Sequence, residues 1–231
     1  MRSTMGTLAA VAVATVGIAV LVAATASLQP DDTILGGSLG NLVPGQIAAG
    51  ALGVLVVCGE YGSGTIRATF AACPRRLTVL AAKALVVAAL VFVVAFTAAL
   101  CAYQAATVML SGQGYLPGKP MPALVGLALS YAAVAVLGVA LGTVLRHSAA
   151  AVAAVIGFLL LPTLIGPLLG DWQRWVAGAS PVAALQKLVQ TSDAGSHTLG
   201  SLGAWPTLWL VCGYSVAALA ASAWLLRARD A

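Results

Sequence analysis

Charge is what this chain has least of. Only 7% of its 231 residues are Asp, Glu, Lys or Arg, while 61% are hydrophobic; an average soluble domain carries about 25% charged residues. Water is therefore not its main solvent. Acid and base groups are scarcer still: Glu60 is the sole glutamate, and the two histidines, His147 and His197, are predicted on opposite sides of a membrane. A paired general acid and base is hard to assemble from these, which disfavours a membrane-embedded enzyme acting on lipid. The four cysteines, Cys58, Cys73, Cys101 and Cys212, include no CxxC pair and have no histidine at ligand spacing. They read as small packing residues rather than metal or redox groups. No GxxxxGK[ST] segment occurs, so any work driven by ATP needs an ATPase on another chain. No charge lies near the middle of a long apolar run, which disfavours proton relays, gating charges and ion filters.

What is present is a series of apolar runs long enough to cross a hydrocarbon core of about 30 Å, which takes about 20 helical residues. Six are read between the charges: Ser3 to Pro30, Thr33 to Gly59 with its span from about Pro44, Ala84 to Leu110, Pro122 to Leu145, Ser148 to Leu169, and Trp205 to Leu226. Backbone groups in lipid need internal partners, and none of the runs alternates in polarity as a barrel strand would, so each is helical and the fold class is all-α. The first run exceeds a signal-peptide core of about 7 to 15 residues and is read as a retained span.

Short-loop Lys and Arg residues set the orientation. With the amino terminus inside, Arg2, Arg67, Arg75, Arg76, Lys83, Arg146, Arg227 and Arg229 are inside, and only Lys119, Arg174 and Lys187 are outside. Asp31, Asp32, Asp171 and Asp193 fall outside, Glu60 and Asp230 inside. The expectation is a multi-pass protein of a bacterial plasma membrane with both termini cytoplasmic. The net charge of +5 is explained by this distribution, since no helix or strand gathers it into a nucleic-acid surface.

The loop between the second and third spans concentrates the polar residues. Gly62 and Gly64 permit a sharp turn, Ser63 or Thr65 can cap a helix, and Pro74 marks its end. The helix so predicted, Thr65 to Cys73, is about 13 Å long and lies along the interface. Ile66, Thr69, Phe70 and Cys73 share one face while Arg67 turns away, an apolar knob beside positive charge. Simple anchoring of Arg67, Arg75, Arg76 and Lys83 to lipid head groups is the plainer alternative. Glu60, at the end of a span, needs a partner, for which Arg67 and Lys83 are the candidates.

These same residues carry a family resemblance. Gly59-Glu60-Tyr61, Gly64-Thr65-Ile66-Arg67-Ala68-Thr69, Pro74-Arg75-Arg76 and Ala82-Lys83-Ala84 together resemble type-2 ATP-binding-cassette transporter permeases, especially those of actinomycetes. Leu141 to His147, Ser180-Pro181 and Arg227 to Asp230 extend the likeness over nearly the whole chain. The resemblance implies a type-2 exporter-like bundle of six transmembrane helices, a single permease domain over 1–231. It implies pairing with a second permease copy or paralogue and with ABC ATP-binding subunits, which carry ATP and Mg; no cofactor is implied for this chain. It also implies that the 60–79 loop couples to the ATPase, through Glu60, Thr65, Ile66, Arg67, Phe70, Pro74, Arg75, Arg76 and Lys83. The pattern of such permeases opens with a basic amphipathic helix before the first span, for which Met1-Arg2-Ser3-Thr4 leaves no room; either the start is misplaced or contact with the ATPase is reduced. The alternative to an exporter is a non-transporting membrane scaffold or immunity protein, indifferent to any ATPase.

The loop over 170–204 contains its own helical signal. Ser180 can cap, Pro181 occupies the first helical position, and Val182, Leu185, Leu188 and Val189 form one apolar face. This is an outer gate helix, through Pro181, Leu185 and Leu188, or an interfacial helix resting among head groups. Trp172, Trp175 and Trp205 flank the loop as interface anchors. Within the spans, Gln46, Thr97, Gln104, Ser130, Tyr131, Thr163 and Ser215 are candidates to line a path, although single Ser and Thr residues usually bond their own backbone. Gly138 and Gly142 form a GxxxG, which permits close helix approach.

Overall fold

A computed structural model describes residues 2–25, 28, 31–63, 76–112, 114–191, 194 and 199–229. Among them there is no strand. The helices are α1 (Arg2–Thr25), α2 (Ile34–Leu39), α3 (Val43–Ser63), α4 (Arg76–Met109), α5 (Pro120–Leu145), α6 (Ser148–Ile165), a 3-10 segment (Gly166–Trp172), α7 (Gln173–Val176), α8 (Pro181–Val189) and α9 (Ala204–Arg229). Six are long and apolar enough to cross a membrane: Met5–Thr25, Val43–Gly62, Leu77–Met109, Pro120–Leu145, Ser148–Gly170 and Ala204–Leu225. The architecture is the all-α, six-span bundle expected from the sequence.

Helix α5 is the hub, with 78% of its most apolar stretch buried, against 17% for the span built on α6. Helices α3, α4, α6, α8 and α9 all pack on it, and α1 covers the seam between α3 and α4. Because α5 is apolar on every side, it needs protein or lipid all round, and the five neighbours supply protein. Outward-facing Leu85, Val86, Val93, Leu161, Leu164, Trp209 and Val216 are exposed, as a lipid-facing surface requires.

Small residues set the closest crossing. A Cβ added at Gly53 would overlap the Ala135 carbonyl, and one at Gly138 would overlap the Gly50 carbonyl. At Gly142 it would come 3.2 Å from the Val54 carbonyl oxygen. The GxxxG of α5 is thus a true contact, with glycines on both helices letting the backbones touch. Residue numbers rise together along the seam (Gly45 with Tyr131, Gly53 with Ala135, Val54 with Gly142), so α3 and α5 run parallel. The Cys58 thiol closes the seam on the Gly142 carbonyl at 3.6 Å.

Two boundaries differ from expectation. Gly62 lies inside α3, and α4 starts at Arg76, eight residues before the predicted span, which places Lys83 within a helix of 34 residues. Hydropathy marks only the stretch that crosses lipid, whereas helical hydrogen bonding continues until water or capping groups replace it. The elements missed in the sequence are the 3-10 segment, α7 and α2, the last of six residues capped by Thr33, whose hydroxyl accepts from Gly36 N at 3.0 Å.

Candidate functional site

Polar groups collect at the two ends of the bundle, and the end holding the α3–α4 and α5–α6 connections carries its ion pair. Glu60, in the last turn of α3, pairs with Lys83 two turns into α4. Both side chains are partly exposed, 29% and 20% respectively. At the next residue, Tyr61 receives the Arg146 guanidinium over its ring, 5.4 Å from the centroid. Arg146 ends α5 in the left-handed conformation, φ 53°, its N–H donating to the Gly142 carbonyl at 3.0 Å. A residue there reverses the chain sharply, and His147 Nδ1 then accepts from Ala150 N at 3.3 Å to open α6. The ends of α3, α4 and α5 are therefore fastened to one another by an ion pair and a cation–π contact. Of the two partners foreseen for Glu60, Lys83 is found. Thr65, Ile66, Arg67, Phe70, Pro74 and Arg75 lie outside the described residues, and of Arg76 only the helical backbone is described.

At the other end α8 is inserted into the bundle. Ser180 Oγ accepts from Ala183 N at 3.1 Å and Pro181 takes the first helical position, the start read in the sequence. Most of the helix is buried, Pro181, Val182, Leu185, Leu188 and Val189 among it, while Gln186 stays partly exposed. The Pro181 carbonyl accepts from Gln46 Nε2 at 3.1 Å, and the same amide nitrogen reaches Ser130 Oγ at 2.6 Å. Ser130 is ten residues beyond the start of α5 at Pro120, which puts the tip of α8 about 15 Å down the bundle. Leu188 presses on Gly126, and the Gln190 carbonyl on Gly36.

The polar residues inside the spans divide accordingly. Gln46, Ser130 and Tyr131, whose hydroxyl donates to the Leu42 carbonyl at 2.8 Å, tie helices together. Thr97, Thr163 and Ser215 donate to carbonyls of their own helices, and Gln104 is exposed. The sequence treated all seven alike, because nothing local distinguishes a hydroxyl that bonds backwards from an amide that bonds across.

Lys187 was missed as a buried group. Only 9% of it is exposed, and its ammonium donates to Thr207 Oγ1 on α9 at 3.3 Å. Burial pushes its pKa below the ordinary lysine value. One signal was present: Ala183 and Ala184 lie one turn before it and leave room for the stem against the bundle.

A family model described as "ABC-2 family transporter protein" matches residues 4–231. The chain belongs to the ABC-2 transporter family. No curated protein and no solved structure matches it at the same stringency. Membership makes it a multi-pass transport subunit rather than an enzyme, and an ABC-2 permease pairs in general with an ABC ATP-binding subunit.

Proposed function

We propose that the chain is the membrane half of an ATP-driven exporter in a bacterial plasma membrane, with both termini cytoplasmic, moving a drug-like or amphiphilic substrate. A second copy or a paralogue completes the path, and ATP-binding subunits dock on segment 64–75. The observation that carries this reading is the fastening of α3 to α4 by Glu60 and Lys83 on either side of that segment. A push delivered to 64–75 is transmitted to both helices together rather than lost in bending the loop. Ile66 and Phe70 enter a cleft of the ATPase, Arg67 meets an acidic rim, and Thr65, Pro74, Arg75 and Arg76 shape and charge the contact.

From α3 the motion passes along its glycine seam to α5, the helix every other span but α1 packs on. Helix α5 also carries Ser130 and Gly126, the seat of α8. Displacing α5 against α3 thus loosens the Gln46, Ser130 and Pro181 link, and α8 withdraws as the outer gate through Pro181, Leu185 and Leu188. Hydrolysis of ATP on the partner restores the closed arrangement.

The test is co-purification with the ABC ATP-binding subunit from membranes, comparing wild type with Ile66→Asp plus Phe70→Asp. Wild type retains the ATPase, and the variant inserts at the same level but releases it. Equal retention overturns the docking assignment, and failure of both to bind favours a scaffold or immunity role.

A further inference from the structure

The α8 end of the bundle holds a charge with no work in the scheme above. The Lys187 ammonium has three N–H donors and one hydrogen bond, to a neutral hydroxyl that itself donates to the Gly203 carbonyl at 2.9 Å. Among the described residues the one ion pair is Glu60 with Lys83, at the opposite end. An ammonium largely covered by protein, with no counter-charge among the described residues, favours an anion in the open recess beside it.

The surroundings form a receptacle for such a group. Lys187 borders a recess of about 370 Å³, walled by Gln190, Thr191, Gly200, Ser201 and Gly203 and by Ala204 at the start of α9. That volume is within the range of small-ligand sites, about 300–1,000 Å³, and many times the roughly 30 Å³ of one water. Among the described residues the lining offers hydroxyl, amide and backbone groups and no carboxylate. Ala204 begins a helix of 26 residues, whose first-turn N–H groups lack helical partners and whose dipole favours negative charge. The 199–203 wall is held in place. Gly200 adopts φ 77°, with room for a Cβ only 2.8 Å from the Arg174 carbonyl oxygen, and Gly178 is closed against the Leu199 carbonyl. A buried cation, a positive helix end and a fixed glycine-rich wall meet in one cavity, so the site does not rest on the helix terminus alone.

We propose that this recess binds an anionic oxygen group, a phosphate or carboxylate, with Lys187 providing the charge, Ser201 and Gln190 the neutral contacts, and the start of α9 the backbone donors. Two sources present that chemistry, a free anion and the head group of an anionic amphiphile. Leu188 packs on Gly126, six residues into α5, and the exposed Trp172, Trp175 and Trp205 flank the same loop. The recess is therefore at the depth of lipid head groups. The assignment depends on neither the direction of transport nor any ATPase.

The experiment uses the purified chain in phosphatidylcholine nanodiscs, probed separately with inorganic phosphate and with short-chain phosphatidylglycerol or phosphatidylcholine. Binding is read by native mass spectrometry and by melting temperature. Wild type prefers the phosphatidylglycerol probe about tenfold, the size of one or two charge-assisted hydrogen bonds. Lys187→Met binds both lipids alike, and Lys187→Arg keeps the preference. Ser201→Glu, an exposed position facing the recess, supplies an internal carboxylate; it loses the preference and melts higher, which keeps the test decisive where Lys187→Met fails to fold. A melting shift with phosphate in wild type but not in Lys187→Met identifies the free anion as sufficient, and a response to lipid alone identifies the head group. Undiminished preference in Lys187→Met overturns the proposal, as does wild-type protein that responds to neither phosphate nor phosphatidylglycerol.

Discussion

Lys187 and the Glu60–Lys83 pair show how differently a charge behaves at the two ends. Burial lowers the Lys187 pKa from 10.5, so below that depressed value the folded protein carries a charge at a cost the unfolded chain does not bear. The cost fades as pH rises through the folded pKa and is gone above 10.5, where both states are neutral. Wild type in neutral lipid should therefore gain stability between the depressed value and 10.5, and Lys187→Met should show a flatter profile; melting curves at stepped alkaline pH check this. Glu60 and Lys83 are partly exposed, so their pairing contributes only about 1 kcal/mol or less to stability. Its larger role is geometric. Lys83→Glu puts two carboxylates together and is expected to lower both melting temperature and ATPase retention, and Glu60→Lys combined with Lys83→Glu to recover most of each. A double-mutant cycle giving no coupling would remove the pair from the transmission scheme. The sequence named both residues because a carboxylate at a span end demands a partner, whereas it left Lys187 as a loop charge, since the identity of a residue does not reveal that two alanines and a facing helix enclose it.

Among the helices, glycine separates positions where backbones touch from positions where nothing is near. Gly53 and Gly138 belong to the first kind, and Gly213, exposed on α9 with nothing within 4 Å of an added Cβ, to the second. Gly53→Val must drive α3 away from the Ala135 backbone and is expected to cost about 1–3 kcal/mol or more; Gly213→Ala is expected to be neutral within about 0.5 kcal/mol. Melting temperatures of the two variants in the same detergent make the comparison. Helix α8 was legible in advance because its start is local chemistry, Ser180 then Pro181. Its burial was not, because that depends on Gln46 and Ser130, 135 and 51 positions away in the chain, and α2 escaped because six residues are too few to show a period.

For the molecule as a whole, the six-span bundle was legible because lipid imposes the simplest rule in protein structure, that a crossing backbone must satisfy itself. Which span is central was not, since α5 and α6 are both apolar throughout and differ in what surrounds them. The glycines at 126, 138 and 142 were the available sign, for a helix that touches five others needs small residues where they press. Orientation is the property of the whole chain still carried by charge alone, through the eight basic residues assigned to one side and three to the other. In a variant freed of its four cysteines, a single cysteine at Ser201, exposed beside the recess, should react with a membrane-impermeant maleimide on intact cells. A single cysteine at exposed His147, in the two-residue α5–α6 joint, should react only after the membrane is opened. The reverse pattern would place the Glu60–Lys83 end outside, where no cytosolic ATPase can reach segment 64–75, and would undo the exporter scheme while leaving the fold and the anion recess as they stand.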